Sequence, residues 1–294
     1  MGAANNPHSD KTTTPFTYTN PAIPYVNSLL LQNHRSAPSP VGEGGVGAAN
    51  TPRRTAIKPQ PHLHTATPYV NQPENLMTQH FRPEDADGYD QKVAIVVPGY
   101  SVLHQSAAAL LRTLLPDGAR ILIIGAGTGA DALALAAQNP NWQLTCVEPL
   151  TEMLDRARAK TAAIAHITYH RGYLADLPPD EPYDAALCQL VSHFIPERTA
   201  KAQLLHDIAA RLKPGGYLIQ TDIIESDELP ALIHFARAQG MPAEGAPLME
   251  KRFSEDMHPL ATDDFTRLAG ENGYRVLKTY FRTLTICGWL LQKT

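Results

Sequence analysis

The stretch Arg120-Ile-Leu-Ile-Ile-Gly-Ala-Gly-Thr-Gly-Ala130 decides the fold of this chain. Ile121 to Ile124 form a continuous apolar run, as expected for a parallel strand that is covered on both faces. Glycine then stands at three alternate positions, and residues 130–137 have the pattern of a helix. Glycine in such a turn lets a ligand approach the backbone closely. The stretch therefore predicts a strand, turn and helix that together hold a nucleotide-like ligand.

The glycine turn alone fits two classes of cofactor. Gly125, Gly127 and Ala130 also satisfy the fingerprint of dinucleotide-binding proteins. That fingerprint expects an acidic residue about 20 positions further on, and Glu148 supplies one. On this motif alone an NAD(P)-dependent oxidoreductase remains open.

The order of the following segments distinguishes the two classes. A strand over residues 142–147 leads into Glu148-Pro-Leu-Thr-Glu-Met153, and Gly172-Tyr-Leu-Ala-Asp176 comes next. A strand over residues 183–190 and the segment Leu212-Lys-Pro-Gly-Gly216 complete the series. In this order they resemble the class I S-adenosylmethionine-dependent methyltransferases, from about residue 89 to the end of the chain.

That resemblance implies an α/β fold with a doubly wound, Rossmann-like sheet of seven strands. The family's strand order is 3-2-1-4-5-7-6, with strand seven antiparallel, and its cofactor is S-adenosyl-L-methionine. Two final strands predicted over residues 274–281 and 284–292 form an antiparallel hairpin. A dinucleotide-binding domain does not require this hairpin, so it favours methyl transfer over hydride transfer.

Composition limits the partners and the location. The chain has 294 residues, 43% of them hydrophobic, and a formal net charge of −4. This charge gives no general attraction to membranes and neither supports nor excludes a nucleic-acid partner. Cys146, Cys188 and Cys287 lie in apolar strand-like segments and are predicted to be buried free thiols, without a disulfide or metal site. With no membrane span or signal peptide recognised, we expect a cytoplasmic protein.

The chain divides into an extension and a folded domain. Residues 1–74 hold 11 of the 25 prolines and few periodic apolar residues, which predicts a disordered extension. Residues 75–294 are predicted to form the methyltransferase domain. Its core covers residues 105–225, a substrate-side insertion covers 226–260, and a helix and hairpin cover 261–294.

Helix signals refine these boundaries. The patterns predict helices over residues 102–115, 228–239 and 263–272. Thr262 is the predicted N-cap of the last helix, and Gly273 fits its C-terminal end. The predicted helix over residues 228–239 is followed by a proline- and glycine-containing stretch through Leu260.

The candidate cofactor-binding residues stand at the carboxyl ends of the first four strands. The glycine turn is expected to hold the amino-acid end of the cofactor. Glu148 can accept two hydrogen bonds from a ribose diol. The remaining residues would surround the adenine or face the methyl group, as the resemblance implies. The set comprises Gly125, Ala126, Gly127, Gly129, Glu148, Pro149, Met153, Tyr173, Leu174 and Gln189.

One histidine is the candidate for proton transfer. His193 follows the fourth strand at the edge of the sheet where doubly wound folds bind ligands. Histidine exchanges protons near neutral pH, so His193 is predicted to remove a proton from the acceptor. A residue that begins a helix and moves no proton is the alternative. The acceptor pocket is expected between residues 89–103, 189–195 and 229–260.

A branch of the family offers a second interpretation. Pro98-Gly-Tyr-Ser101 and Lys251-Arg252 resemble the carboxy-S-adenosylmethionine synthases, which act in tRNA wobble-uridine modification. That resemblance implies that Tyr100 contacts the cofactor and that Arg252 binds a substrate carboxylate. Tyr173 and Gln189 depart from this branch, which has an acidic residue and Asn there.

The sequence therefore predicts an S-adenosylmethionine-dependent methyltransferase that acts on a small-molecule acceptor by in-line transfer. The alternatives are a carboxy-S-adenosylmethionine synthase, an NAD(P)-dependent oxidoreductase and a cofactor-binding module without catalytic activity. The identity of the acceptor does not follow from the residues.

Overall fold

A computed structural model describes residues 88–294, in which helices and strands alternate. The strands are β1 (Arg120–Ile124), β2 (Gln143–Glu148), β3 (Ile167–Arg171), β4 (Tyr183–Gln189), β5 (Leu212–Ile223), β6 (Tyr274–Thr283) and β7 (Ile286–Lys293). The helices are α1 (Tyr89–Val96), α2 (Tyr100–Arg112), α3 (Ala130–Gln138), α4 (Thr151–Lys160), α5 (Arg198–Arg211), α6 (Leu229–Ala238), α7 (Gly245–Glu255) and α8 (Thr262–Glu271). The predicted disordered extension, residues 1–74, lies outside the described residues.

The strands form one sheet in the order β3-β2-β1-β4-β5-β7-β6. Strands β1 to β5 pair in parallel, whereas β7 is antiparallel to both β5 and β6. This order and the antiparallel strand confirm the architecture that the resemblance implies. In a doubly wound sheet the carboxyl ends of the parallel strands form one edge, where ligands bind.

Strand β1 is covered on both faces, as its apolar run predicts. Ile121 and Ile123 pack in a cluster with α2 and α3, while Leu122 and Ile124 pack in a second cluster with α5 and α8. Alternate side chains of a strand point to opposite faces, so each face has its own core. We call these the α2/α3 face and the α5/α8 face.

The insertion after β5 contains a helix that the sequence analysis does not identify. Within the proline- and glycine-containing stretch, α7 buries Ala246 and Met249 against Leu232 of α6. Pro247 lies in the first turn of α7, where a backbone N–H has no partner within the helix. Pro247, a residue type that interrupts the middle of a helix, is therefore compatible with the start of α7.

The last helix begins one residue earlier than predicted. Ala261 is its N-cap and Thr262 is its first residue, so the assignment of Thr262 as the cap is wrong. Gly273 follows the helix with a φ of +82°, a left-handed conformation that suits glycine, as predicted. The three cysteines are buried and free, which confirms their prediction.

Within residues 88–294, no single helix is long and apolar enough to cross a membrane, although α1 and α2 pass that test as a pair bent by 93°. In the same range, no three or more His, Cys, Asp and Glu side chains are grouped to hold a metal ion.

Candidate functional site

The turn after β1 leaves an open space beside Gly127. Gly125, Gly127 and Gly129 have φ values of 67°, 51° and 87°. A Cβ atom at Gly125 would lie 2.5 Å from Val191 Cγ2, and one at Gly129 would lie 3.2 Å from Ala157. At Gly127 the nearest heavy atom is the Gly125 carbonyl oxygen, at 4.0 Å. Gly125 and Gly129 therefore serve internal packing, and only Gly127 opens onto the space that we call the glycine notch.

Backbone N–H groups of the turn are directed into the protein. The N–H groups of Gly125 and Ala126 donate to the carbonyl oxygen of Val147, at 2.9 and 3.0 Å. The N–H of Gly127 donates to Glu148 Oε2 at 2.9 Å. These bonds fasten the turn to the end of β2. They leave the notch bordered by the Gly125 carbonyl oxygen, which can accept a hydrogen bond from an ammonium group.

Glu148 is a buried carboxylate at the tip of β2. Its side chain accepts hydrogen bonds from the N–H of Gly127 and, at Oε1, from the N–H of Leu150 at 3.0 Å. Burial raises the pKa of Glu148, while these two backbone hydrogen bonds oppose the rise. Each carboxylate oxygen has two acceptor sites. A ligand diol can therefore bind without displacing either backbone donor.

An apolar cleft borders the glycine turn at Gly125, and neither Gly127 nor Glu148 is among its lining residues. The cleft encloses about 460 Å³, part of it open to solvent, and its lining includes Gly125, Pro149, Tyr173 and Leu174. The N–H of Tyr173 donates to Asp176 at 2.9 Å and fixes this wall of the cleft. Four of the predicted cofactor-binding residues thus line one cleft.

Met153, another predicted cofactor-binding residue, lies elsewhere. Its side chain is 3% exposed on α4 and is not among the described residues that line the cleft. Its burial accords with a packing role.

Gln189, the last residue of β4, is held by hydrogen bonds on the α2/α3 face. Its amide group donates to Asp131 at the start of α3. Its carbonyl oxygen accepts from Thr221 at 2.9 Å and from the Tyr280 hydroxyl at 2.7 Å. The next residue, Leu190, has a left-handed φ of 59°, and its N–H donates to the Thr221 carbonyl oxygen at 2.7 Å. The side chain of Gln189 therefore has a fixed orientation at the edge of the sheet.

The side chain of Tyr280 passes over Gly288 of β7 to reach Gln189. Tyr280 lies at a register irregularity in edge strand β6, and β7 separates that strand from β5. A Cβ atom on Gly288 of β7 would lie 2.8 Å from the Tyr280 ring and 3.0 Å from Thr221 Oγ1. Gly288 thus provides the space for the Tyr280 side chain.

His193 belongs to a different cluster, on the α5/α8 face. Its side chain is 3% exposed, and Nδ1 is hydrogen-bonded to Asp222. The Ser192 hydroxyl donates to the same carboxylate, and Lys201 Nζ donates to the Ser192 carbonyl oxygen. Burial alone would raise the pKa of Asp222, but His193 and the hydrogen bond from Ser192 hold it below its usual range. This cluster ties the loop after β4 to β5 and α5.

Helix α1 contacts the glycine turn, because the Thr128 hydroxyl donates to Asp90 Oδ1 at 2.5 Å. Burial raises the pKa of Tyr89 on α1 to about 12, with a further rise from the charges of Glu148 and Asp90 and an opposing effect from Arg252. Tyr89 and Phe253 of α7 pack against the same apolar cluster. Arg252 also pairs with Asp256 at 3.7 Å.

Tyr100 lies on α2 beside a histidine that the sequence analysis did not identify. Burial raises the pKa of Tyr100, and its ring meets the His104 ring edge-on, with centroids 4.5 Å apart. His104 Nδ1 lies 2.7 Å from Asp131 Oδ1. In the sequence, the only indication of the contact between His104 and Asp131 is the position of Asp131 two residues after the glycine turn. An acidic residue is also common at a helix N-terminus, so this position alone does not predict the contact.

Comparisons with known proteins match the same segment. A family model described as a methyltransferase domain matches residues 121–216. Over 133 residues the chain is 31% identical to a fatty-acid O-methyltransferase of Mycolicibacterium smegmatis, covering 45% of this chain and 46% of that protein. Over 154 residues it is 25% identical to a carboxy-S-adenosyl-L-methionine synthase of Hahella chejuensis, covering 47% and 62%. The match thus spans less than two thirds of the length of each of these relatives.

A solved structure shares the fold. The magnesium protoporphyrin IX methyltransferase of Synechocystis, solved with bound SAH, superimposes with a TM-score of 0.51 at 17% identity. The match covers 72% of this chain and 96% of that chain.

Replacing Gly288 tests the path of Tyr280 across β7. Gly288→Ala places a Cβ against the tyrosine ring, so we expect it to lower the free energy of unfolding by about 1–3 kcal/mol, the usual cost of overpacking. Gly270→Ala on α8, where the new Cβ meets nothing within 4 Å, is the control. It should stabilise by about 0.5–1 kcal/mol. Urea denaturation measures both, and equal stability of the two variants would contradict the assignment.

Proposed function

We propose that the chain is a class I S-adenosylmethionine-dependent methyltransferase that transfers a methyl group to a small-molecule acceptor, and the match of a methyltransferase-domain model to residues 121–216 supports this proposal. The observation that carries the proposal is the glycine notch beside the buried Glu148 carboxylate. S-adenosylmethionine, when bound, supplies an electrophilic methyl group on a sulfonium centre that is a good leaving group.

The residues around the notch fit the chemical groups of this cofactor. The Gly125 carbonyl oxygen is suited to the ammonium group of the methionine part, and the Glu148 carboxylate to the ribose diol. The apolar cleft beside Pro149, Tyr173 and Leu174 is suited to the adenine ring. A backbone amide already holds each Glu148 oxygen, so this carboxylate is oriented before a ligand arrives.

Positioning is the main contribution that the protein makes to the reaction. A fixed cofactor and a fixed acceptor can lower the barrier by about 7–11 kcal/mol when the reacting atoms are aligned. Gln189 and Leu190 stand where the fourth strand ends, and their hydrogen bonds make that edge rigid. In-line displacement requires this rigidity and no covalent intermediate with the protein.

Apolar side chains next to this edge, which we call the apolar wall, favour an acceptor molecule that is largely apolar. Val93, Val97 and Leu103 of the first two helices form a buried cluster with Ile223 and Ile286. Tyr89, Tyr100, Leu190, Phe253, Met257 and Phe281 pack against this cluster and are only partly buried. Such a surface is suited to an aromatic or aliphatic molecule. The roles of Arg252 as a carboxylate ligand and of Tyr100 as a cofactor contact stay predictions.

A matched pair of glycine variants tests the cofactor site. Gly127→Val and Gly118→Val both place a side chain on a left-handed backbone, with φ values of 51° and 75°, and both enter open space. Their cost in folding stability should therefore be similar. We expect Gly127→Val alone to abolish binding of S-adenosylhomocysteine in calorimetry, because the side chain fills the notch. Full affinity in Gly127→Val would place the cofactor elsewhere.

The protonation of Glu148 gives a pH test of the ribose contact. Because the pKa of Glu148 is raised by burial, lowering the pH protonates it sooner than an ordinary glutamate. A protonated carboxyl loses its charge-assisted hydrogen bonds, so we expect affinity for S-adenosylhomocysteine to fall as the pH falls through this pKa. Glu148→Gln should bind about 1.5–3 kcal/mol more weakly above that pKa and should lack this pH dependence.

The control for this measurement is Glu152→Gln, which changes an exposed acid on the neighbouring helix α4. It should retain the affinity and pH dependence of the unmodified protein. A pH dependence that persists in Glu148→Gln would assign the titrating group to another residue.

A further inference from the structure

A buried imidazole on the α2/α3 face has one nitrogen without a partner. His104 is 8% exposed, and its Nε2 atom has no hydrogen-bond partner among the described residues. Leaving a buried polar atom unpaired is costly, so such an atom in a native protein points to a ligand or a catalytic role.

Asp131 fixes which nitrogen of His104 carries the proton. Nδ1 lies 2.7 Å from Asp131 Oδ1, and the same carboxylate accepts from the Gln189 amide group. A carboxylate only accepts hydrogen bonds, so Nδ1 of a neutral His104 is the donor. Nε2 is then left with a lone pair. The two ring nitrogens diverge, so this lone pair is directed away from Asp131.

The same contacts place His104 beside the end of β4, at the edge of the sheet where methyl transfer is proposed. Asp131 stands two residues after the glycine turn, and Gln189 ends β4, with its Nε2 3.3 Å from His104 Nδ1. Tyr100, one turn earlier on α2, belongs to the apolar wall and packs edge-on against the imidazole. The imidazole therefore lies between the glycine turn and the apolar wall.

His193, the other histidine that is buried among residues 88–294, has a different set of partners. His193 is bound to Asp222 in a cluster that fastens the loop after β4, on the opposite face of the sheet. Among residues 88–294, the Nε2 atoms of His104 and His170 are fully buried without a hydrogen-bond partner. His170 lies on β3, whereas His104 is hydrogen-bonded to Asp131 directly after the glycine turn.

We propose that His104 Nε2 is the general base of the methyl transfer and that the acceptor is a neutral hydroxyl group, as in an alcohol or a phenol. This inference rests on the proposed function. The acceptor oxygen donates a lone pair to form the new O–C bond, the S–C bond breaks with its electron pair going to sulfur, and the acceptor proton passes to Nε2. Asp131 stabilises the resulting imidazolium and is a positioning residue. A carboxylate acceptor would carry no proton and would not need this base.

The titratable groups that face His104 are known from the packing. They are Asp131 on α3, Tyr100 on its own helix and, through Gln189, Tyr280 on β6. Burial raises the pKa of both tyrosines, which remain neutral near pH 7. Neither tyrosine therefore loses its proton near neutral pH, so a pH dependence of the rate that is lost in a His104 variant is assigned to the imidazole.

The first test does not require turnover. Nitrogen-15 NMR of the imidazole signals that vanish in His104→Gln should show a protonated Nδ1 and an unprotonated Nε2 in the unmodified protein. Asp131→Asn should disturb this tautomer, because its amide can donate to Nδ1. A protonated Nε2 in the unmodified neutral protein would overturn the assignment.

The second test measures turnover with named probes. Phenol and 2-naphthol supply hydroxyl acceptors, benzoate and dodecanoate supply carboxylates, and mass spectrometry measures the S-adenosylhomocysteine formed. We expect transfer to the hydroxyl probes, with kcat about 10²- to 10⁴-fold lower in His104→Gln, the range for loss of a general base. The acidic limb of the pH profile should disappear. His206→Gln, at an exposed position on α5, is the control and should behave like the unmodified protein.

Calorimetry distinguishes a failure of the proposed function from a failure of the proposed general base. Absence of S-adenosylhomocysteine binding would refute the proposed function itself. With binding intact, transfer to carboxylates alone or to no probe would overturn the assignment of His104 as the general base. The same holds if the acidic limb of the pH profile is lost in His193→Gln but kept in His104→Gln. A His104→Gln defect that is confined to cofactor affinity would also overturn the assignment.

Discussion

One buried carboxylate holds the glycine turn against the end of the second strand. Removing a carboxylate from water costs several kcal/mol unless hydrogen bonds replace the water, and the N–H groups of Gly127 and Leu150 replace it for Glu148. Because Gly127 has no side chain, open space remains beside the backbone that this contact holds in place. The fold and the proposed cofactor site therefore depend on the same interaction.

The end of β4 divides the polar groups of the site between the two faces of the sheet. Gln189 belongs to the α2/α3 face, whereas His193, four residues later, belongs to the α5/α8 face. Between them Leu190 adopts a left-handed conformation, which costs about 1–2 kcal/mol for a residue with a side chain. Its N–H bond to Thr221 helps to hold that conformation. The result is one imidazole that fastens a loop and another, His104, that keeps an unpaired nitrogen.

Much of the architecture follows from local patterns in the sequence. The apolar run of β1 indicates a strand covered on both faces, and the final hairpin indicates the antiparallel strand. Glu148 stands at a strand tip that its spacing identifies. The sequence does not reveal helix α7, because glycine and proline usually interrupt a helix. Gly245 and Pro247 both lie in the first turn of α7, where these residues are tolerated. The pairing of His104 with Asp131 depends on the packing of two helices, which no local pattern encodes.

A crystal structure of the protein with S-adenosylhomocysteine is the most direct measurement of the central claim. The ribose hydroxyls should lie within hydrogen-bonding distance of Glu148, and the homocysteine part should lie against Gly127, with the Gly125 carbonyl oxygen near its ammonium group. A ligand bound away from Gly127, or a ribose that does not contact Glu148, would contradict the claim.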